Sequence, residues 1–236
     1  MGILAKPLGY LLTWLYELVG NYGIAILILT FIVKLCLYPV YAKQIKSSMK
    51  MSEVQPKAME IQQKYARDRE KMQEKLAELY KEEGVSMTGG CLPAFVQMFV
   101  IMGLFGLFRN PLAYIGSDSM IFAVHESFLW IPDMAQPDKW ILPIGAAIAT
   151  FISSWMSQNA TASSGANAQQ TKLMTSMMKY FFPIMILWMA RSYPAGLAIY
   201  WFGSQIVQIF YNLRFAKLRK AQAAKKNQTK KKKARA

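Results

Sequence analysis

Residues 22–41 read YGIAILILTFIVKLCLYPVY, and this stretch decides the fold. Its length and almost unbroken apolar character match one helix across a bilayer, which needs about 20 residues. Lys34 lies two-thirds of the way along it, and Thr30 lies about one helical turn earlier on the same face. A charge at that depth costs about 3 kcal/mol on insertion scales, so it needs a wet or polar surround. Either Lys34 snorkels to the nearer interface, or it faces an aqueous cavity that is the working site.

The composition places the whole chain in a membrane. The 236 residues are 54% hydrophobic and 13% aromatic, with 16 Met, 6 Trp and a formal net charge of +15. Several near-continuous apolar stretches stand where a soluble domain would show amphipathic periodicity. Met suits an adaptable apolar lining and Trp an interfacial aromatic belt. We therefore predict an all-α integral membrane protein.

Five transmembrane helices are predicted, and a short amphipathic helix precedes them in residues 1–20. Its leucines between positions 3 and 18 repeat at helical spacing, which predicts a helix lying in the outer interface. Only Ser192-Tyr193-Pro194 separates the last two spans, so these form an antiparallel helical hairpin. The core, 21–213, has its predicted spans at about 22–41, 91–108, 140–157, 177–191 and 195–213.

A charged segment, residues 42–84, separates the first two spans. Basic and acidic side chains alternate in it, and apolar residues recur at spacings of three, four and seven, which predicts a helical hairpin. The turn is expected near Ala66–Arg69, with Asp68 as N-cap of the second arm. Pro56 is expected to kink or break the first arm, and Gly84 to end the second.

The C-terminal tail, 214–236, holds eleven Lys or Arg and no acid. It cannot bury enough apolar surface to fold alone, so it is predicted to be disordered. The positive-inside rule places this tail and the hairpin in the cytoplasm, and the net acidic connection 109–139 outside. Because five spans are an odd number, the N-terminus lies outside.

The spans lack the groups that an intramembrane enzyme needs. His125 is the single histidine and lies in the predicted external connection, which excludes His metal sites and Ser-His pairs in the membrane. No Asp or Glu falls in any of the five spans, and no phosphate-binding glycine loop is present. The sequence predicts a protein that is not an enzyme and needs no metal or cofactor.

Polar side chains do occur within the spans. Thr, Ser and Gln in membrane helices most often form interhelical hydrogen bonds. Taken together with Lys34, a cation for which the spans hold no acidic partner, these polar residues favour a polar groove. These residues are Thr30, Gln97, Ser153, Ser204, Gln205 and Gln208.

Several stretches resemble the YidC-type membrane protein insertases of bacteria, related to the Oxa and Alb insertases of organelles. Residues 20–40, GNYGIAILILTFIVKLCLYPV, resemble the first core span, and residues 50–98 resemble the cytoplasmic hairpin that runs into the second. MKYFFPIMI and YPAGLAIYWFGSQIVQI resemble the fourth and fifth spans. The hairpin-to-GGCLP and PAGLAIYW stretches are the specific ones. Lacking a large periplasmic domain, the chain is similar to the short forms of Gram-positive bacteria.

The resemblance implies a hydrophilic groove that is open to the cytoplasm and to lipid and closed on the outside. Lys34 stands at the family's groove arginine, so the charge is kept while the bidentate fork is lost. Ser153 stands where relatives often carry a glutamine. Thr30 matches a groove threonine, and Trp201, beside Tyr200, a groove aromatic. The predicted groove residues are Lys34, Thr30, Ser153, Tyr200, Trp201, Gln205 and Gln97.

The implied function is insertion and folding of nascent membrane proteins, with the Lys34 cation drawing in polar or acidic N-terminal tails. The hairpin would recruit substrate, with contacts to the Sec translocon or targeting machinery, through Pro56, Tyr65 and Asp68. The basic tail would contact ribosomal RNA or anionic lipid, through Lys230, Lys231, Lys232 and Lys233. The predicted location is the bacterial cell membrane.

Two other classes remain open at this point. One is a small anion channel or transporter with Lys34 as its binding charge, which predicts internal pseudo-symmetry that the sequence does not display. The other is an assembly chaperone without insertion activity. Dependence of folding alone, and not of insertion, on the protein would favour the chaperone.

Overall fold

The computed structural model describes residues 2–84, 92–110, 114, 118–159 and 176–233, and every regular element in these ranges is helical. A π-helical turn, Met177–Phe181, leads directly into the helix that begins at Phe182. Position 91, where the second predicted span starts, and positions 234–236 of the tail lie outside the described residues. The helices are α1 Gly2–Val19, α2 Tyr22–Lys64, α3 Arg69–Glu82, α4 Leu92–Arg109, α5 Asp118–Ala123, α6 Ile141–Asn159, α7 Phe182–Ala190 and α8 Ala195–Lys233.

Helix α2 unites the first predicted span and the first arm of the hairpin. Gly20, at a φ of 66°, ends the turn after α1, and the side chain of Asn21 accepts the Ile24 N–H at 3.0 Å as the N-cap. The helix then continues for 43 residues. Pro56 does not break this arm, because α2 continues through it, and the alternative of a kink at Pro56 stays a prediction. The ring of Pro56 is exposed on the solvent side, where the carbonyl that loses its partner can bind water.

The hairpin turns at Tyr65–Asp68. Asp68 accepts the Lys71 N–H at 3.1 Å and caps α3, as the sequence predicted. Gly84 follows the end of α3 at a φ of 61°, a conformation that glycine adopts without strain. The two arms pack through a small core that includes Val54, Ala58 and Leu79.

The main core lies between α1, α2, α4 and the start of α8. Helices α1 and α4 approach closely because Gly103 has no side chain: a Cβ there would lie 2.9 Å from the Cβ of Leu4. Thr30 and Lys34 continue the buried face of α2 beyond this core. The fully buried members of the main core include Leu12, Ile26, Leu29, Leu104, Leu107 and Tyr200.

The connection 124–140 covers the N-terminal ends of α2 and α8. The Glu126 carboxylate accepts the Tyr16 hydroxyl and, at 3.0 Å, the backbone N–H of Tyr22. The carbonyls of Met134 and Gln136 accept the first N–H groups of α8 at 3.3 and 3.0 Å. Backbone groups that a helix leaves unpaired at its start are thus satisfied by this connection, which fixes the end of the bundle.

Helix α8 runs well beyond the predicted last span. Residues 214–233 are helical, so the prediction of a disordered tail is wrong for these positions. Ala, Lys, Arg, Gln and Leu are strong helix formers, and extending an existing helix avoids the costly nucleation step. These residues do not have to fold alone, because they extend a helix that is already packed in the bundle.

One segment in the described residues is both long and apolar enough to cross a bilayer, and it is Tyr22–Gln44 within α2. Three shorter apolar segments accompany it, at Val96–Arg109, Ile141–Ser157 and Lys179–Ala190. Exposed large apolar side chains cover α6 and α7, among them Ile148, Trp155, Ile184 and Trp188. Such outward apolar faces are typical of helices that lie against lipid.

Candidate functional site

Lys34 lies inside the helical bundle, with only 2% of its surface exposed. Its ammonium donates to the hydroxyl of Tyr41 and to the side-chain oxygen of Gln97, each at 3.2 Å. The Tyr41 hydroxyl donates to the same Gln97 oxygen at 2.8 Å. The ammonium also lies 5.0 Å from the centre of the Tyr41 ring, within cation–π range.

Gln97 extends this network to the last helix. Its Nε2 donates to the hydroxyl of Tyr200, which is fully buried, at 3.2 Å. We call Lys34, Tyr41, Gln97 and Tyr200 the Lys34 cluster. It joins α2, α4 and α8 through side-chain hydrogen bonds. Tyr211 adds a bond from its hydroxyl to the backbone carbonyl of Lys34, at 3.1 Å.

The hydrogen-bond partners that the described residues give the Lys34 ammonium are neutral. Lys34 extends along its helix towards Tyr41, as snorkelling predicts, yet its ammonium ends among side chains and stays buried. A buried cation held by a hydroxyl and an amide is hydrogen-bonded but not charge-compensated.

A second polar cluster joins α6 to the other side of α8. We call Thr150, Ser153, Trp201, Gln205 and Asn212 the α6–α8 cluster. The Ser153 hydroxyl donates to Gln205 Oε1 at 2.5 Å, and the Trp201 indole donates to the Thr150 hydroxyl at 2.9 Å. Asn212 Nδ2 donates to the Ser153 carbonyl at 3.1 Å. These bonds follow the two helices for several turns and fix how they pack.

The predicted groove residues other than Thr30 thus divide between two clusters. Lys34, Gln97 and Tyr200 lie together in the Lys34 cluster. Ser153 bonds to Gln205, and Trp201 bonds to Thr150, across the contact between α6 and α8. Thr30 is buried one helical turn before Lys34 on α2, and its hydroxyl donates to the Ile26 carbonyl at 2.7 Å.

The hairpin residues lie far along α2. Pro56 is 22 residues after Lys34 on one continuous helix, a distance of roughly 33 Å. Tyr65 and Asp68 are the C-cap of α2 and the N-cap of α3. The backbone of Lys230, Lys231, Lys232 and Lys233 belongs to α8, and their side chains are outside the described part of the chain.

Sequence reasoning missed four residues of these networks: Tyr41, Tyr211, Thr150 and Asn212. Tyr41 had a signal, because a residue seven positions after Lys34 lies two turns along the same helix face. Tyr211 had none, since its contact with Lys34 spans 177 residues of sequence.

An apolar crevice with a volume of about 40 Å³ lies beside the clusters, between α4, α7 and α8. Ile101, Ile186, Leu197 and the ring of Trp201 are among its walls. The described residues contain no group of three His, Cys, Asp or Glu that could hold a metal ion. The arrangement supports binding of a polar group beside an apolar segment.

Comparison with known proteins assigns this chain to a family. The family profile of the 60Kd inner membrane protein matches residues 14–223. The membrane protein insertase YidC of Fusobacterium nucleatum is 36% identical over 208 residues, 88% of this chain and 92% of that protein. The one from Oceanobacillus iheyensis is 37% identical, over 89% of this chain and 81% of its own length.

Longer relatives match over a smaller share of their own length. The YidC insertase of Wolinella succinogenes is 34% identical over 94% of this chain, which is 39% of that protein. A crystal structure of an active YidC insertase with its first transmembrane domain resolved superposes with a TM-score of 0.62 at 29% identity. That match covers 88% of this chain and 45% of the solved one.

The chain therefore belongs to the 60Kd inner membrane protein family, the YidC-type membrane protein insertases. As a member it is a cell-membrane protein, and the family acts without enzymatic chemistry. The resemblance and the all-α membrane fold predicted from the sequence are confirmed. The number of spans and the roles of individual residues stay predictions.

Proposed function

We propose that this chain inserts membrane proteins by receiving the polar N-terminal tail of a substrate at the Lys34 cluster while the apolar segment passes along the crevice. The observation that carries the proposal is the buried ammonium of Lys34, whose described hydrogen-bond partners are neutral. A cation in that position attracts the group that is hardest to move across a bilayer, an acidic tail.

The magnitude of this attraction is sufficient to matter. Two opposite charges 4 Å apart attract by about 4 kcal/mol at an effective dielectric constant near 20. Taking a carboxylate out of water costs several kcal/mol, so the cation offsets a large part of that cost. Thr30, Ser153, Trp201 and Gln205 remain the proposed groove residues beside the Lys34 cluster.

The apolar segment of the substrate has its own route. The crevice between α4, α7 and α8 is walled by apolar side chains and lies beside Trp201, so an apolar helix gains contact there before it meets lipid. Hydrophobic transfer and the membrane potential supply the driving force, and no nucleotide is needed.

The remaining parts of the proposal concern topology and partners. The N-terminus lies outside and the C-terminus in the cytoplasm, with the 42–84 hairpin recruiting substrate through Pro56, Tyr65 and Asp68. The Sec translocon and the targeting machinery are its proposed contacts. The basic end of α8 binds ribosomal RNA or anionic lipid by phosphate contacts.

The test is insertion of a single-span protein with an acidic N-terminal tail into proteoliposomes, scored by protease protection. Lys34→Arg should keep activity, because the charge is retained, and Lys34→Met should lose most of it. Neutralising the tail of the substrate should partly rescue Lys34→Met. Lys43→Met, which removes an exposed charge from the same helix, is the matched control.

Each contrary result has a defined meaning. Equal insertion by wild type, Lys34→Arg and Lys34→Met would leave the family assignment standing and make Lys34 structural. Failure of the wild type to insert any substrate would refute the proposed activity. Ion flux in liposomes without substrate protein would favour a channel.

A further inference from the structure

We propose that the position of Gln97 Oε1 is a binding site for a substrate carboxylate, and that the Gln97 side chain occupies it in the resting protein. The inference rests on the proposed insertase function and specifies the chemistry of recognition. The Lys34 ammonium and the Tyr41 hydroxyl are the donors of this site, at 3.2 and 2.8 Å from the oxygen.

The geometry is that of an anion site filled by a neutral group. Two donors from α2 converge on one sp² oxygen that α4 supplies. An amide oxygen and a carboxylate oxygen accept hydrogen bonds in the same directions. Ammonium and phenol groups bind a carboxylate more strongly than an amide, since the hydrogen bonds become charge-assisted.

Tyr200 completes the site for the second oxygen of the carboxylate. Its hydroxyl now accepts a hydrogen bond from Gln97 Nε2 at 3.2 Å. A hydroxyl can turn from acceptor to donor, so the departure of Gln97 lets Tyr200 donate to the ligand instead. One ammonium and two phenols then hold two carboxylate oxygens, and no buried polar group loses its partner in either state.

Gln97 is placed to be the member that leaves. Lys34 and Tyr200 are buried, whereas Gln97 is partly exposed and is followed by the exposed Met98 and Phe99 on α4. The same helix forms a wall of the apolar crevice through Ile101, one turn further on. A polypeptide that enters along the crevice therefore passes the open side of Gln97.

The experiment compares two substrates that differ only in carrying two Asp or two Asn in the N-terminal tail. Gln97→Glu fixes a carboxylate at the site on the protein itself, and Gln97→Leu leaves the site vacant. Gln136→Glu makes the same chemical change at an exposed position in the connection 124–140. Tyr41→Phe removes one donor, and Tyr38→Phe removes a hydroxyl nearby on the same helix as its control.

The measured quantity is the ratio of Asp-tail to Asn-tail insertion, relative to wild type, by protease protection in proteoliposomes. Gln97→Glu should lower this ratio roughly tenfold, the effect of one charge-assisted hydrogen bond, and Tyr41→Phe should lower it several-fold. Gln97→Leu should raise the ratio, and Gln136→Glu and Tyr38→Phe should keep the wild-type value.

An unchanged ratio in Gln97→Glu would overturn the inference, as would an equal fall in Gln97→Leu, which would make Gln97 itself a ligand of the substrate. If Gln97→Glu inserts neither substrate, Tyr41→Phe decides: a wild-type ratio there overturns the inference and a lowered ratio supports it. Continued insertion of the Asn-tail substrate by wild type shows that the insertase function stands even where the carboxylate site fails.

Discussion

Replacing Lys34 with Met should stabilise the protein while it impairs insertion. The Lys34 side chain is 2% exposed, and the hydrogen-bond partners described for its ammonium are neutral. Burial of an ammonium costs several kcal/mol, which two hydrogen bonds and one cation–π contact return only in part. Met fills a similar volume without that cost. Tyr41 and Gln97 stay bonded to each other in the variant, because their 2.8 Å contact does not involve Lys34.

The expected magnitude follows from comparable replacements. Replacing a buried ion pair with apolar side chains of similar volume is often neutral or stabilising by about 1–4 kcal/mol. A buried cation without a counter-charge has the cost of leaving water and lacks the attraction of a partner, so we apply the same range to Lys34→Met. We expect about 2 kcal/mol. For a chain of this size that raises the unfolding temperature by roughly 4–8 °C.

The assay is thermal unfolding in detergent micelles, followed by tryptophan fluorescence and by loss of the monodisperse peak in size exclusion. Lys43→Met is the control, since it removes an exposed charge from the same helix and should change the unfolding free energy by less than about 0.5 kcal/mol. A fall in unfolding temperature for Lys34→Met would refute the reasoning, because the ammonium would then be the group that holds α2, α4 and α8 together.

Three further predictions concern other parts of the fold. The hydrogen bond to Glu126 raises the pKa of Tyr16. This bond therefore stabilises the fold fully below the ordinary tyrosine pKa of about 10, and its contribution is lost as the pH rises through the raised pKa. Glu126→Gln should weaken this alkaline transition in a pH series of unfolding temperatures. Gly23→Ala should cost about 1–3 kcal/mol, because its Cβ would overlap the ring of Phe128; thermal unfolding measures it. Asp68→Ala should fray the first turn of α3, seen as faster hydrogen exchange there.

A control or a contrary outcome follows for each of the three. Gly106→Ala places its Cβ 3.8 Å from the nearest atom, Tyr114 Cε2, and should be tolerated; equal losses for the two glycine variants would contradict the packing argument. The Lys71 N–H lowers the pKa of Asp68, so the cap should act above the ordinary aspartate value of about 3.9 and be lost as the pH falls through the lowered one. If Glu126→Gln leaves the alkaline transition unchanged, the hydrogen bond between Tyr16 and Glu126 is not its cause.

The helices and their caps could be read from the sequence because the information is local. The apolar run of 22–41, the Asp68 cap and the Gly84 stop each depend on residues within a turn or two of one another. Local patterns did not show that α2 runs on unbroken through Pro56 or that α8 continues through 214–233. In both places a long helix that is already packed elsewhere continues through residues that would not begin one.

The sequence by itself determined the membrane class, the helical fold and the family, and it placed the cationic residue Lys34 within the long apolar stretch of α2. Tertiary structure alone decided the surroundings of that cation. The contacts of Lys34 with Gln97 and Tyr211 join residues 63 and 177 positions apart, and Trp201 and Gln205 bond across to α6 while Tyr200 joins the Lys34 cluster. Neighbours along a helix point in different directions, so which of them meet depends on how the helices pack, and no local pattern of residues records that.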